Sequence, residues 1–169
     1  MRKLMLRQIF VMAIFLGLAP TLAAWAGKPL TVQTDQLTLG TALKMANAAI
    51  AECRKSNYEV SATVVDRDGV TQVALRDTLA SPISLKFSTE KAYTSAMFGA
   101  KGMALQQQTK RLPLARAGQH LVFVGGSVPI EVGGVFYGAI GVSGTPNAKL
   151  DEQCATAGLN AVRDDLEMQ

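Results

Sequence analysis

Phe87, Lys91, Thr94 and Phe98 stand four, three and four residues apart, and on a helix that spacing gathers them within about 40°. Two rings, an ammonium and a hydroxyl on one face suit a flat apolar ligand that carries carboxylates. The rings would lie against its faces and Lys91 would pair with an acid. The same face also suits a subunit interface, or a lysine stem laid over core aromatics; on composition the interface is the commoner use. His120 is the one histidine in the chain. It would be the first donor to an iron-bearing ligand, with Tyr93, Met97 and Met103 behind it. Ala92, Ala96, Ala100 and Met97 lie on the opposite side of the same helix, with Tyr93 adjoining. That alanine face is predicted to press on a sheet, because small residues permit close packing.

Other chemistries find less support. One histidine and two cysteines exclude a multi-histidine metal cluster and a four-cysteine zinc site within one chain. Gly138-Ala139-Ile140-Gly141-Val142-Ser143-Gly144 has a glycine every third residue. No Lys-Ser or Lys-Thr pair follows it, so it is not a phosphate loop. Its glycines instead allow a helix or a flat ligand to approach a strand closely. Ser127 or Ser143 with His120 and an aspartate makes a hydrolase triad only on paper, since neither serine sits in a Gly-x-Ser-x-Gly elbow. Asp66 and Asp68 flank a turn, where aspartate is favoured for local reasons, and offer too few oxygens for calcium. No convincing acid–base pair emerges, so binding is expected rather than an enzyme reaction.

The elements that would position these residues follow from periodicity. Thr38 to Ser56 is predicted helical from the recurrence of Leu39, Leu43, Ala46 and Ile50, with Thr38 as N-cap. Strands Glu59–Asp66 and Val70–Asp77 follow, joined by the hairpin dipeptide Asp68-Gly69. Ser81-Pro82 starts a short helix and Ser88-Thr89 a longer one ending near Lys101, and Met103–Arg111 adds a turn or two before Pro113. Val122–Val124, Pro129–Val132 and Val135–Val142 are three further strands, the last two turned by Gly133-Gly134. A final helix runs from about Lys149 to Leu166, capped by Asn147 or Thr145. Five strands dominated by hairpins predict an antiparallel sheet flanked by helices, an α+β domain, and disfavour a parallel, doubly wound sheet.

The chain has 169 residues, 49% hydrophobic and 18% charged, enough for one packed domain. Its formal charge of +4 is concentrated at the start. Without Arg2, Lys3 and Arg7 there are 14 basic against 13 acidic residues, so a nucleic-acid partner is not supported. Those three cations, the apolar stretch Ile9–Leu18 and the small residues of Ala24-Trp25-Ala26 read as a signal peptide over residues 1–26, cleaved before Gly27. Pro20 and Thr21 interrupt the apolar run, which argues against a membrane anchor. The expectation is a processed domain, 27–169, that is periplasmic or extracellular and not stably inserted in a membrane. In that setting Cys53 and Cys154 either pair, closing a loop of about 100 residues, or are two small buried apolar residues.

Several segments together resemble the GlcG/HbpS-type haem-binding family. They are Val64-Val65-Asp66-Arg67-Asp68-Gly69, Lys91-Ala92-Tyr93-Thr94-Ser95-Ala96, Gly125-Gly126-Ser127-Val128-Pro129-Ile130 and Gly138-Ala139-Ile140-Gly141-Val142-Ser143-Gly144. Asp151 falls where that family has an acidic residue opening its last helix, and the likeness runs from about Leu37 to Leu166. A similar domain ends some corrinoid adenosyltransferases. The resemblance implies a profilin-like α/β/α fold, a homo-oligomer, and haem or a related tetrapyrrole as ligand. Some relatives are labelled haem-degrading and others lie in a glycolate context. Lys91 and Thr94 match the family's helix signature, Gly126 and Pro129 its loop, and Ser95 departs from the commoner alanine. The site so implied is Phe87 and Phe98 on the porphyrin, Lys91 on a propionate, Thr94 beside them, and His120 or Tyr93 near the iron. The function expected is that of an exported haem carrier, scavenger or sensor accessory. The alternatives are an oligomeric interaction protein without haem and an accessory protein for small acids.

Overall fold

The computed structural model describes residues 29–109 and 120–169; the predicted signal peptide, and the end of the turn predicted up to Arg111, lie outside them. Thr34–Gln169 forms the compact unit. Its elements are α1 (Leu39–Arg54), β1 (Ser61–Asp66), β2 (Thr71–Arg76), α2 (Pro82–Phe98), α3 (Gly102–Thr109), β3 (Ser127–Val132), β4 (Val135–Ser143) and α4 (Ala148–Glu167). The strands form one antiparallel sheet in the order β2-β1-β4-β3. This is the expected α+β class, with four strands among the described residues instead of five. Val122–Val124 is not a strand. Thr94 Oγ1 on α2 accepts the Val122 N–H at 2.8 Å, so this backbone donor is bound to a helix side chain instead of a ladder. Pro129, which has no N–H to donate, sits on the edge strand β3, where that loss is tolerated.

Alternation along the strands assigns the layers. Ala62 and Val64 of β1, with Ile140 and Val142 of β4, enter the large core under α1 and α4. Ser61, Thr63 and Val65 face the other way, towards α2: Ser61 Oγ lies 2.8 Å from Ser84 Oγ and Thr63 Oγ1 2.9 Å from Ser88 Oγ. At a bulge in β4, Tyr137 has no partner between Phe136 and Gly138. Alternation therefore changes phase there, and Tyr137 joins the α1/α4 core. Gly133 and Gly134, both at positive φ, make the tight β3–β4 turn that their sequence predicts.

The two predicted helices in the 82–98 region are one. Ser88 does not start a helix: its hydroxyl bonds the Leu85 carbonyl and meets Thr63 inside the structure. The packed face is also turned from the predicted one. Ala92 and Ala96 are buried as expected, but the stripe against the sheet is Ser84, Ser88, Lys91, Ala92 and Ser95. Small hydroxyls satisfy one another across the layer, and Gly141 in β4 lets the helix backbone come close. A Cβ there would stand 2.3 Å from the Ser88 carbonyl oxygen and 2.6 Å from the Ala92 nitrogen.

On the other face, α1 and α4 are joined by the Cys53–Cys154 disulfide, with both cysteines fully buried. Arg54, next in α1, donates from Nε and Nη2 to the two carboxylate oxygens of buried Asp77, each at 2.6 Å. The Arg54 hydrogen bonds hold the Asp77 carboxyl below its ordinary range, outweighing its desolvation. A lowered carboxyl contributes stability that is present above its unfolded value and disappears as pH falls through the folded one. The stability lost in Arg54→Met at neutral pH should therefore shrink steadily between about pH 5 and pH 2. Urea midpoints of both proteins across that range measure it. A difference constant with pH would show that the pair does not set the titration.

Candidate functional site

The motif residues on α2, the Gly125-Gly126 approach to β3 and the start of α4 converge at one end of the sheet. Lys91 Nζ donates to Asp151 Oδ2 at 2.8 Å and to the Val142 carbonyl at 3.1 Å. Lys91 is 4% exposed and Asp151 2%. Gly126 makes room for the ammonium, because a Cβ there would lie 2.7 Å from Lys91 Nζ and 2.9 Å from Asp151 Cβ. Asp151 Oδ1 accepts the Thr145 N–H, and Glu152 Oε2 accepts the N–H of Met103 at 2.7 Å and of Gly126 at 3.4 Å. Asp151 lies in the first turn of α4, where a negative charge is favoured by the helix dipole. Three sequence signatures thus form one internal junction between the helix layers. Lys91 does not stand on an open face beside the phenylalanines. The lysine stem passes inward because the glycine opposite offers space and Asp151 supplies its counter-charge.

The remaining predicted residues separate. Thr94 is buried; its hydroxyl donates to the Glu90 carbonyl at 2.7 Å and accepts from Val122. Tyr93 lies against the β1–β2 turn, where a Cβ on Gly69 would meet its ring at 2.6 Å. Phe87 and Phe98 share a helix side but stand about 16 Å apart along the axis. Phe98 packs edge-on to Phe123, centroids 5.3 Å apart. Phe87, Met97, Phe98 and Val124 remain partly exposed.

His120 takes a different place. Its side chain is 72% exposed, with Nδ1 3.7 Å from Glu90 Oε1. With Pro82, Leu85, Lys86, Thr89 and Glu90 it lines a groove of about 480 Å³ along α2. Lys86 Nζ lies 3.9 Å from the same Glu90 oxygen. This groove brings together an open imidazole, an apolar floor from Pro82 and Leu85, and an exposed cation. Sequence reasoning found His120 but missed Lys86 and Glu90. Their spacing of four residues on a helix was the available signal. A larger cavity of about 530 Å³ lies elsewhere, between Leu37, Thr41, Val132, Tyr137 and Leu166. It contains none of the predicted site residues. Among the described residues no cluster of three or more metal-binding side chains occurs, and no helix is long and apolar enough to cross a membrane.

Comparison with known proteins places this architecture. A crystallised double mutant of HbpS from Streptomyces reticuli is 34% identical and superposes with a TM-score of 0.74, covering 81% of this chain and 98% of that one. An uncharacterised 15.0 kDa protein of the dhaT-dhaS intergenic region of Citrobacter freundii is 34% identical over 125 residues, 66% of this chain and 82% of that protein. A PduOC:heme complex shares the fold at 20% identity, with a TM-score of 0.68 over 75% of this chain and 95% of that one. The family described as "Haem degrading protein HbpS-like" matches residues 37–160, a span that holds the whole sheet, the Lys91–Asp151 junction and the His120 groove. The chain belongs to the HbpS-like family.

Proposed function

We propose that this protein is an exported binder of haem or a related tetrapyrrole, acting as a carrier, scavenger or sensor accessory. Membership of the HbpS-like family supports the ligand class. The observation that carries the reading to particular residues is the groove with His120 on its edge. The donor set fits the ligand: an exposed imidazole for iron, Pro82 and Leu85 for the apolar macrocycle, and Lys86 for a propionate. Lys86 takes the part that the sequence suggested for Lys91, whose ammonium is already held by Asp151. Bound haem would supply an iron centre able to change oxidation state or take a further ligand. The buried disulfide, with the basic and apolar N-terminus, supports export to an oxidising compartment.

Titration of the purified protein with haemin should give a saturable, shifted Soret band. His120→Ala should move that band and weaken binding by about tenfold or more, the loss expected when a metal contact is removed. An unaltered spectrum in the variant would remove His120 from the iron, and a wild-type spectrum like that of free haemin would remove the haem reading. The partial exposure of Phe87 and Phe98 favours a second reading, self-association through that side of α2. Dissociation on dilution in size-exclusion, without any haemin binding, is the result that would put it first.

A further inference from the structure

We infer that Glu90 is a positioning residue for His120, holding the imidazole with its proton on Nδ1 and so presenting Nε2 as the donor atom of the groove. The inference rests on the reading of that groove as a haem site. A carboxylate can only accept, so the ring nitrogen facing it must carry hydrogen, and the other nitrogen keeps its lone pair. Glu90 Oε1 lies 3.7 Å from Nδ1, and the Glu90 side chain is itself 13% exposed. The proposed contact closes this gap to hydrogen-bonding distance, for which the exposed imidazole is free to turn.

The backbone independently ties the two residues together. The Thr94 hydroxyl donates to the carbonyl of Glu90 and accepts from the amide of Val122, two residues beyond His120. One buried side chain thus fixes the histidine's segment to the turn of α2 that carries the carboxylate. His120 itself has φ +75°, a left-handed conformation uncommon outside glycine, though histidine adopts it more readily than most residues. The anchored segment and the enclosed carboxylate are the parts of an acceptor–imidazole–metal arrangement in which the outer partner sets tautomer and ring direction.

Nitrogen-15 NMR of the purified, haem-free protein reads this directly, because the chain has one histidine. The neutral ring should be mainly the Nδ1–H form. Glu90→Ala should shift it to a mixture rich in Nε2–H, and Glu90→Gln should retain most of the original form through its amide oxygen. Haemin affinity should fall by about tenfold in Glu90→Ala. A wild-type ring mainly protonated on Nε2, or tautomer populations unchanged in Glu90→Ala, would overturn the inference, and the first of these needs no variant to fold. The predicted tautomer change without haemin binding supports Glu90 as the orienting group while removing the haem reading. Haemin binding through His120 with no tautomer change in Glu90→Ala does the reverse.

Discussion

Asp151→Ala is expected to lower the free energy of unfolding by about 3–5 kcal/mol, the range for breaking one side of a buried ion pair. The variant leaves the ammonium of Lys91, a residue 4% exposed in the intact protein, with the Val142 carbonyl at 3.1 Å as its remaining partner. It also strips an acceptor from the Thr145 amide. Lys91→Met should be costly for the reciprocal reason, leaving a carboxylate enclosed without its cation. The double variant Lys91→Met/Asp151→Ala removes both charges together and should recover much of the loss, since an apolar replacement of the whole pair is often close to neutral. Urea unfolding of all four proteins gives the coupling energy as a double-mutant cycle. Single variants that each cost less than about 1 kcal/mol would mean that the junction behaves like a solvated surface pair. Haemin affinity measured on the folded double variant should match wild type, because Lys91 lies outside the groove.

The second large effect concerns the bridge between α1 and α4. Cys53→Ala/Cys154→Ala should destabilise the protein by about 4–5 kcal/mol, the chain-entropy value for a loop of this size. The two cysteines are 101 positions apart in sequence, so the bridge denies the unfolded chain much of its freedom. The folded side adds a smaller loss, since both sulfurs are fully buried and leave space behind. A protein of ordinary stability would keep only part of its margin without the bridge. Denaturation with and without a reductant strong enough to open the bridge should reproduce the difference seen in the double alanine variant. A difference below about 1 kcal/mol would show that the α1/α4 packing alone constrains the chain.

Much of the architecture was legible from local signals. The Asp68-Gly69 and Gly133-Gly134 turns, the Thr38 and Asn147 caps and the alternating strands each report on a few neighbouring residues, and local chemistry decides them. The Gly138–Gly144 run was legible too: Gly141 serves the close helix approach expected of it. What failed depended on distant partners. Phe87, Lys91, Thr94 and Phe98 share a helix side at any rotation of α2, but Gly126, Asp151 and the hydroxyls of β1 decide which part of that side turns inward. Serine and threonine counted as polar along the sequence, yet Ser61–Ser84 and Thr63–Ser88 satisfy each other and behave as small core residues. The segment after His120 carried a strand-like Val-Phe-Val, and nothing near it in sequence announced that Thr94 would take its first amide. The candidate site was legible in one residue, His120. Glu90 and Lys86 gained meaning once the fold laid that histidine beside them.

The two sides of the sheet are not fastened alike. Under α1 and α4 lie the large apolar core and the disulfide. Under α2 lie hydroxyl pairs, a small apolar patch of Val65, Ala92, Ala96 and Ala139, and, from Lys91 onward, the tie to Asp151. Covalent closure raises the cost of opening for the first side, while hydroxyl pairs exchange readily for water once a gap admits it. Partial unfolding should therefore begin in the first turns of α2, ahead of the Lys91–Asp151 tie, with the sheet intact behind them. The groove of Pro82, Leu85 and Glu90 rides on those turns, so a flat guest of the kind proposed would enter or leave by a local excursion that leaves the rest of the domain folded.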